Sequence, residues 1–133
     1  MNDKDLEKIL KTSRAIAVVG LSPQPDRDSY EVAHYLQQAG YRIIPVNPKA
    51  DSILGEKAYP DLRSIPEKID VVDIFRRPEH VPPIVDEAIE IGAKTIWMQL
   101  GVVNEEAARK ASEAGLDVVM DKCMLREHRR LLS

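Results

Sequence analysis

The chain reads as an α/β domain over residues 1–133, with a five-stranded parallel sheet and helices on both faces. Two observations lead there. Apolar runs of strand length alternate with segments of helical period from one end to the other. Three of the helical segments also close on a glycine, at Gly40, Gly92 and Gly115, and pass into a strand within a few residues. Such β-then-α alternation requires parallel strands joined by right-handed crossovers. No linker, low-complexity segment or second domain interrupts the pattern.

Taken in order, Leu6, Ile9 and Leu10 have i, i+3, i+4 spacing and predict a short amphipathic helix covering the sheet edge. Residues 15–20 are a near-continuous apolar run, as a parallel strand buried on both faces should be. Asp28 with Glu31 resembles a capping box, and Val32, Ala33, Leu36 and Ala39 form the apolar face of the helix that follows. The second strand is 42–46. Residues 50–69, with Pro60 and Pro66, read as a mostly irregular connection around Leu62 and Ile65. The third strand is Asp70–Phe75. Val81, Ile84, Val85, Ala88 and Ile89 then give the clearest helix in the chain. Thr95–Gln99 is the fourth strand, and Asn104 caps a helix whose first turn carries Glu105 and Glu106, suited to the helix dipole. Asp117–Met120 is the fifth strand, and 124–132 a last short helix.

Composition narrows the function. Nineteen basic against twenty-two acidic residues give a formal charge of −3, which argues against general nucleic-acid binding. Hydrophobic residues at 44% and charged ones at 31% are an ordinary globular balance. No apolar run approaches a membrane span, and the charged N-terminus lacks an apolar signal core. A lone cysteine, Cys123, allows no internal disulfide, so a cytoplasmic setting is expected. Cys123 itself is expected as a buried small apolar residue, the alternative being a mixed disulfide with a thiol ligand. His34, His80 and His128 are scattered, and Cys123 with His128 makes only a weak C-x4-H, so no metal site is expected. No catalytic constellation stands out.

In an open parallel sheet, ligands bind beyond the carboxyl ends of the strands where strand order reverses. Four segments leave those ends: 20–29, 47–49, 76–78 and 99–101. The first has a single glycine and two prolines. It is neither G-x-G-x-x-G nor a phosphate-binding loop of ATPase type, yet it delivers a helix N-terminus whose free N–H groups suit phosphate. Ser22, Ser29 and Tyr30 add hydroxyls and Arg27 a charge; Asp28 and Ser29 serve equally well as plain helix caps. The exit of the second strand carries Asn47, Pro48 and Lys49 where a fold holding NAD places a carboxylate for the ribose. A cation there suits a phosphate on the ribose, which points to CoA or NADP. Arg76, Arg77 and Pro78 repeat the pattern after the third strand, with one arginine expected to face the ligand. Gln99, alternating with Met98, shares a face with Trp97 and is a candidate for amide hydrogen bonds.

Read together, residues 17–23, 28–32, 46–49, 73–78 (Asp-Ile-Phe-Arg-Arg-Pro) and 97–102 (Trp-Met-Gln-Leu-Gly-Val) resemble the small stand-alone CoA-binding domain proteins. These are similar to the N-terminal domain of the succinyl-CoA synthetase α chain and of NDP-forming acyl-CoA synthetases. The resemblance covers roughly residues 6–125 and implies a single Rossmann-like domain with coenzyme A or an acyl-CoA as the small-molecule ligand. It implies a site of Gly20, Ser22, Arg27, Ser29 and Tyr30 at the phosphates, and Asn47, Pro48 and Lys49 beside the adenosine. Phe75, Arg76 and Pro78 would close over the nucleotide, with Gln99 and Gly101 completing it. The ligases' phosphorylated histidine and ATP-binding subunit have no counterpart in these residues, so CoA binding without catalysis is expected. An NADP-dependent reductase and a regulatory partner sensing CoA status are the alternatives. A homodimer or a complex with a partner protein is compatible with either, and neither nucleic acid nor membrane is expected as a partner.

Overall fold

The structure, a computed structural model, describes residues 1–132. Five parallel strands form the main sheet: β1 (Ala15–Val19), β2 (Arg42–Val46), β5 (Val71–Ile74), β6 (Thr95–Met98) and β7 (Asp117–Val119). They lie in the order β2-β1-β5-β6-β7. The chain starts on β1, steps outward to β2, then crosses back to β5 and runs the other way, so order reverses between β1 and β5. The register is tight, with Val18 opposite both Pro45 and Asp73, and Trp97 opposite Asp73 and Val119. Every residue of β1, β5 and β6 is buried, which is why these strands are apolar runs rather than alternating ones.

The helices divide by face. α3 (Val81–Glu90) and α4 (Glu105–Glu113) bury Val81, Ile84, Val85, Ala107 and Ala111 against Ala17, Ile44, Val72 and Ile96. α1 (Asp3–Thr12), α2 (Asp28–Gln38) and α5 (Met124–Leu132) cover the other face, against Ile16, Val18, Val71, Trp97 and Val119. α1 therefore lies within a face layer, with Leu6, Ile9 and Leu10 in that core, in place of the sheet edge expected for it. Burying a side chain of this size stabilises by roughly 1.5–3 kcal/mol, enough to outweigh the modest helix propensity of the segment. α1 is closed by a reciprocal Asn2–Asp5 capping box.

Other local expectations divide in the same way. Asn104 caps α4, its Oδ1 accepting the Ala107 N–H at 2.9 Å. Gly40, Gly92 and Gly115 follow their helices at positive φ. α2 has no capping box: the helix starts at Asp28, and its cap residue, Arg27, makes no side-chain capping bond. Residues 50–69 are less irregular than expected. Ser52–Ile53 (β3) pairs with Glu56–Lys57 (β4) in a short antiparallel hairpin turning at Leu54 and Gly55, both at positive φ. Leu62 and Ile65 are buried as anticipated. Among the described residues no helix is long and apolar enough to cross a membrane.

Candidate functional site

The exits of β1 and β5 meet at Gly20. Its N–H donates to Val46 O at 3.0 Å, while the next strand's Phe75 N–H donates to Val19 O at 2.9 Å. Gly20 has φ +89°, and a Cβ built on it would lie 2.4 Å from Phe75 O and 2.9 Å from Arg76 Cδ. Only glycine lets the two strand ends approach this closely. Gly20 thus marks the point where strand order reverses, and a hollow opens directly beside it.

Two hollows share that rim. One, of about 550 Å³, is lined by Gly20, Ser22, Asp26, Arg27, Asp28, Ser29 and Phe75. The other, of about 510 Å³, runs between α2 and α5; Asp28, Val32, Phe75, Gln99, Leu100 and Cys123 form its walls with Val102, Leu125, Arg126 and Arg129. Asp28 and Phe75 belong to both, so they form one continuous cleft at the C-terminal rim of the sheet.

Local chemistry builds the hollow at Gly20. Ser29, buried at the start of α2, accepts the Ser22 N–H on its Oγ at 3.0 Å and so ties the loop to the helix. Ser22 Oγ accepts the Gln24 N–H. Since no side chain caps α2, the N–H groups of its first turn are left for an anion in the hollow. Asp26 and Asp28 share the hollow with a single cation, Arg27. An anionic ligand would therefore depend on backbone N–H groups more than on side-chain charge.

The sequence candidates separate into two groups. Gly20, Ser22, Arg27, Ser29 and Phe75 are brought together in the Gly20 hollow, and Gln99 lines the one beside α5. Tyr30, Asn47, Pro48, Lys49, Arg76, Pro78 and Gly101 stand outside the walls of both. Tyr30 packs its ring on His34. The Asn47 amide is engaged at both ends, donating to Leu21 O at 3.0 Å and accepting the Lys49 N–H at 2.8 Å. That turn holds Lys49 beside the β2 exit, exposed, its ammonium without an ion pair among the described residues. Arg76 is the arginine whose stem lies against Gly20, and Arg77 precedes the 3-10 turn Pro78–His80. The Gly101 N–H donates to Asp121 Oδ1 at 2.7 Å.

Sequence reasoning missed two features. One is the wall that α5 gives the second hollow, including Leu125 and Arg126, since nothing in a terminal helical period says which cleft it will border. Cys123, expected to be buried, is only half-buried and lines that hollow. The other feature is Asp73, wholly buried on the central strand, with neither carboxyl oxygen hydrogen-bonded among the described residues. Burial pushes its pKa well above the usual carboxylate value, so it is held as the neutral acid. Its apolar flanks made it look like part of an ordinary strand end.

The fold is shared with relatives. Residues 14–129 match the CoA binding domain family, and the chain belongs to that family. It is 47% identical over 124 residues to the Bacillus subtilis (strain 168) uncharacterized protein YneT, covering 93% of this chain and 92% of that protein. It is also similar to an ADP-forming acetate–CoA ligase II of Archaeoglobus fulgidus, 31% identical over 100 residues. There it covers 74% of this chain but spans only 15% of the ligase. Among solved structures, a Pyrococcus horikoshii OT3 hypothetical protein superposes with a TM-score of 0.97 at 47% identity, over 100% of this chain and 94% of that one.

Proposed function

We propose that this protein binds coenzyme A or an acyl-CoA across the continuous cleft at the C-terminal rim of its sheet, and carries out no ligase chemistry by itself. The observation that carries this reading is the pair of confluent hollows at the strand-order reversal, opened by Gly20 against Phe75 and facing an uncapped helix N-terminus. The family match and the ligases named for acetate and CoA among its relatives support the same ligand. The α2 N–H groups, with Ser22 and Arg27, would meet the pyrophosphate. Lys49 and Arg76, both exposed above the exits of their strands, would meet the ribose phosphate by swinging over the rim. The amide-fixed turn at Asn47 keeps Lys49 close to that position, and Pro48 and Pro78 stiffen the two exits. The hollow beside α5, with Phe75, Leu100 and Val102, suits the less polar arm of the ligand, with Gln99 offering an amide to its carbonyls.

A cation reading the ribose phosphate makes the protein prefer CoA over dephospho-CoA. A charge-assisted contact of ~1–3 kcal/mol corresponds to roughly ten- to hundredfold in affinity. Titration calorimetry of both ligands, with NAD and NADP alongside, tests this. Lys49→Ala should remove most of the difference and leave the fold intact, because an exposed turn lysine supports no core; Arg76→Ala is the second variant. Equal affinity for CoA and dephospho-CoA would refute the phosphate-reading role. Binding of NADP without CoA would move the protein to the reductase class.

A further inference from the structure

The wall that α5 adds to its hollow has chemistry that phosphate binding leaves unused. Cys123 immediately precedes α5, and its carbonyl accepts the Glu127 N–H at 3.0 Å, so its thiol stands at the N-terminus of a nine-residue helix. Gln99 borders the same hollow and is only 4% exposed. Its Oε1 accepts the backbone N–H of Met124, the residue after the cysteine, at 3.1 Å. That bond fixes which way round the amide sits. Its Nε2 then has no hydrogen-bond partner among the described residues. Among the described residues the buried side-chain atoms without a partner are the two carboxyl oxygens of Asp73, so Gln99 Nε2 opens onto the cleft, an anchored amide donor placed to meet a carbonyl from outside. Val32, Leu100 and Leu125 supply apolar surface around the pair.

A carbonyl acceptor, an apolar chain and a sulfur nucleophile beside them describe a thioester. We infer that the hollow beside α5 takes the thioester end of an acyl-CoA, with Gln99 Nε2 donating to the carbonyl oxygen and Cys123 Sγ accepting the acyl group. This rests on the acyl-CoA reading above. The Cys123 thiol releases its proton to solvent and its sulfur attacks the carbonyl carbon. A new carbon–sulfur bond forms at Cys123, the bond to the CoA sulfur breaks, and the CoA thiolate leaves and takes up a proton. One thioester replaces another, so neither oxidant nor nucleotide is consumed. Gln99 meets the negative charge that develops on the oxygen in the tetrahedral intermediate.

Acetyl-CoA is the probe. The native protein should gain one acetyl group by intact mass, mapped to Cys123 and removed by neutral hydroxylamine, and Cys123→Ser should gain none. Gln99→Glu keeps an oxygen for the Met124 N–H but loses the donor, and should acetylate on the order of a hundredfold more slowly. Gln99→Met, which buries no charge, checks that result against a folding effect. Methyl methanethiosulfonate, whose reaction needs no carbonyl donor, reads how far each variant alters the thiol itself; acetylation should fall well beyond any change in that rate, and an equal fall in the two reactions overturns the inference. Calorimetry with CoA accompanies each assay. CoA binding without acetylation overturns the inference and leaves the CoA reading standing; absence of both overturns both. Acetylation at the same rate in urea-unfolded protein, or at the wild-type rate in both Gln99 variants, also overturns it.

Discussion

At Gly20 a missing side chain decides the geometry of the cleft. The φ of +89° alone would cost an alanine roughly 1–2 kcal/mol, and the Phe75 carbonyl within 2.4 Å of the new Cβ must also move. Because that oxygen belongs to backbone, relief requires shifting the β5 exit, a further ~1–3 kcal/mol of the kind overpacking incurs. Gly20→Ala should therefore lower stability by roughly 2–5 kcal/mol in urea unfolding and weaken ligand binding with it. Gly40 is the control: it has φ +105° but nothing within 4 Å of a built Cβ, so Gly40→Ala should cost only roughly 1–2 kcal/mol. Equal losses for the two would show that the close approach contributes nothing. Asp73 acts at the same scale with opposite sign. Its pKa in the folded chain is raised by burial above the unfolded value near 3.8. Below that unfolded value both states carry the proton and nothing is lost; as pH rises toward the folded pKa, ionisation of the unfolded chain draws the protein open. Against Asp73→Asn, the native protein should lose about 1.4 kcal/mol per pH unit above roughly pH 4, levelling off past the folded pKa. Denaturation curves that keep a constant offset between pH 4 and 8 would rule this out.

Among the elements, α5 is tied most widely and was least readable. Arg130 grips Asp3 of α1 through two bonds of 2.8 Å, and the Trp97 Nε1–H donates to Lys122 O just before the helix. Tyr35 of α2 and His128 Nδ1 stand 2.9 Å apart; burial holds the imidazole pKa below its usual value, so the neutral ring can accept from the hydroxyl. The Arg130 and His128 links cross from α5 to the first two helices of the chain, and no local period encodes a partner more than ninety residues away, 127 for Arg130 and Asp3 and 93 for His128 and Tyr35. The central strands were legible for the converse reason. β1, β5 and β6 are buried on both faces, so burial writes itself into unbroken apolar runs such as Ala15–Val19, and the helix-terminating Gly92 marks where the β6 run begins. Asn104 was readable because its cap is made three residues away. The α2 start was misread because Asp28 and Glu31 have capping-box spacing, while the loop instead recruits Ser29 for the Ser22 N–H, a choice set by the path of residues 20–27. Of the site, the residues on the strand exits were readable from topology alone. The α5 wall was not, since it depends on how the last helix folds back across Gln99.

On the scale of the whole molecule the two rims of the sheet differ in kind. The C-terminal rim carries the continuous cleft with glycine, an uncapped helix start and a half-buried thiol. The opposite rim has a third hollow of about 310 Å³, bordered by Asp5, Lys8, Thr12, Asp70 and Lys94. There Asp70 is already engaged: it accepts the Arg14 and Ala15 N–H groups at 2.8 and 2.9 Å and pairs with Lys94. A hollow built around a carboxylate offers little to an anion, whereas the cleft has the uncapped start of α2. A ligand that binds only the folded chain stabilises it by about 2.7 kcal/mol at a hundredfold excess over its dissociation constant. Part of that gain should be local. Hydrogen exchange with and without CoA should slow at residues 20–31, 75–78 and 99–102 and in the first turn of α5, where the cleft walls meet the ligand. Residues 5–14 and 94 on the far rim, already closed by their own ion pairs, should change only as much as global unfolding does. Protection concentrated on the Asp70–Lys94 rim would place the ligand on the wrong end of the sheet and remove the strand-reversal cleft from consideration.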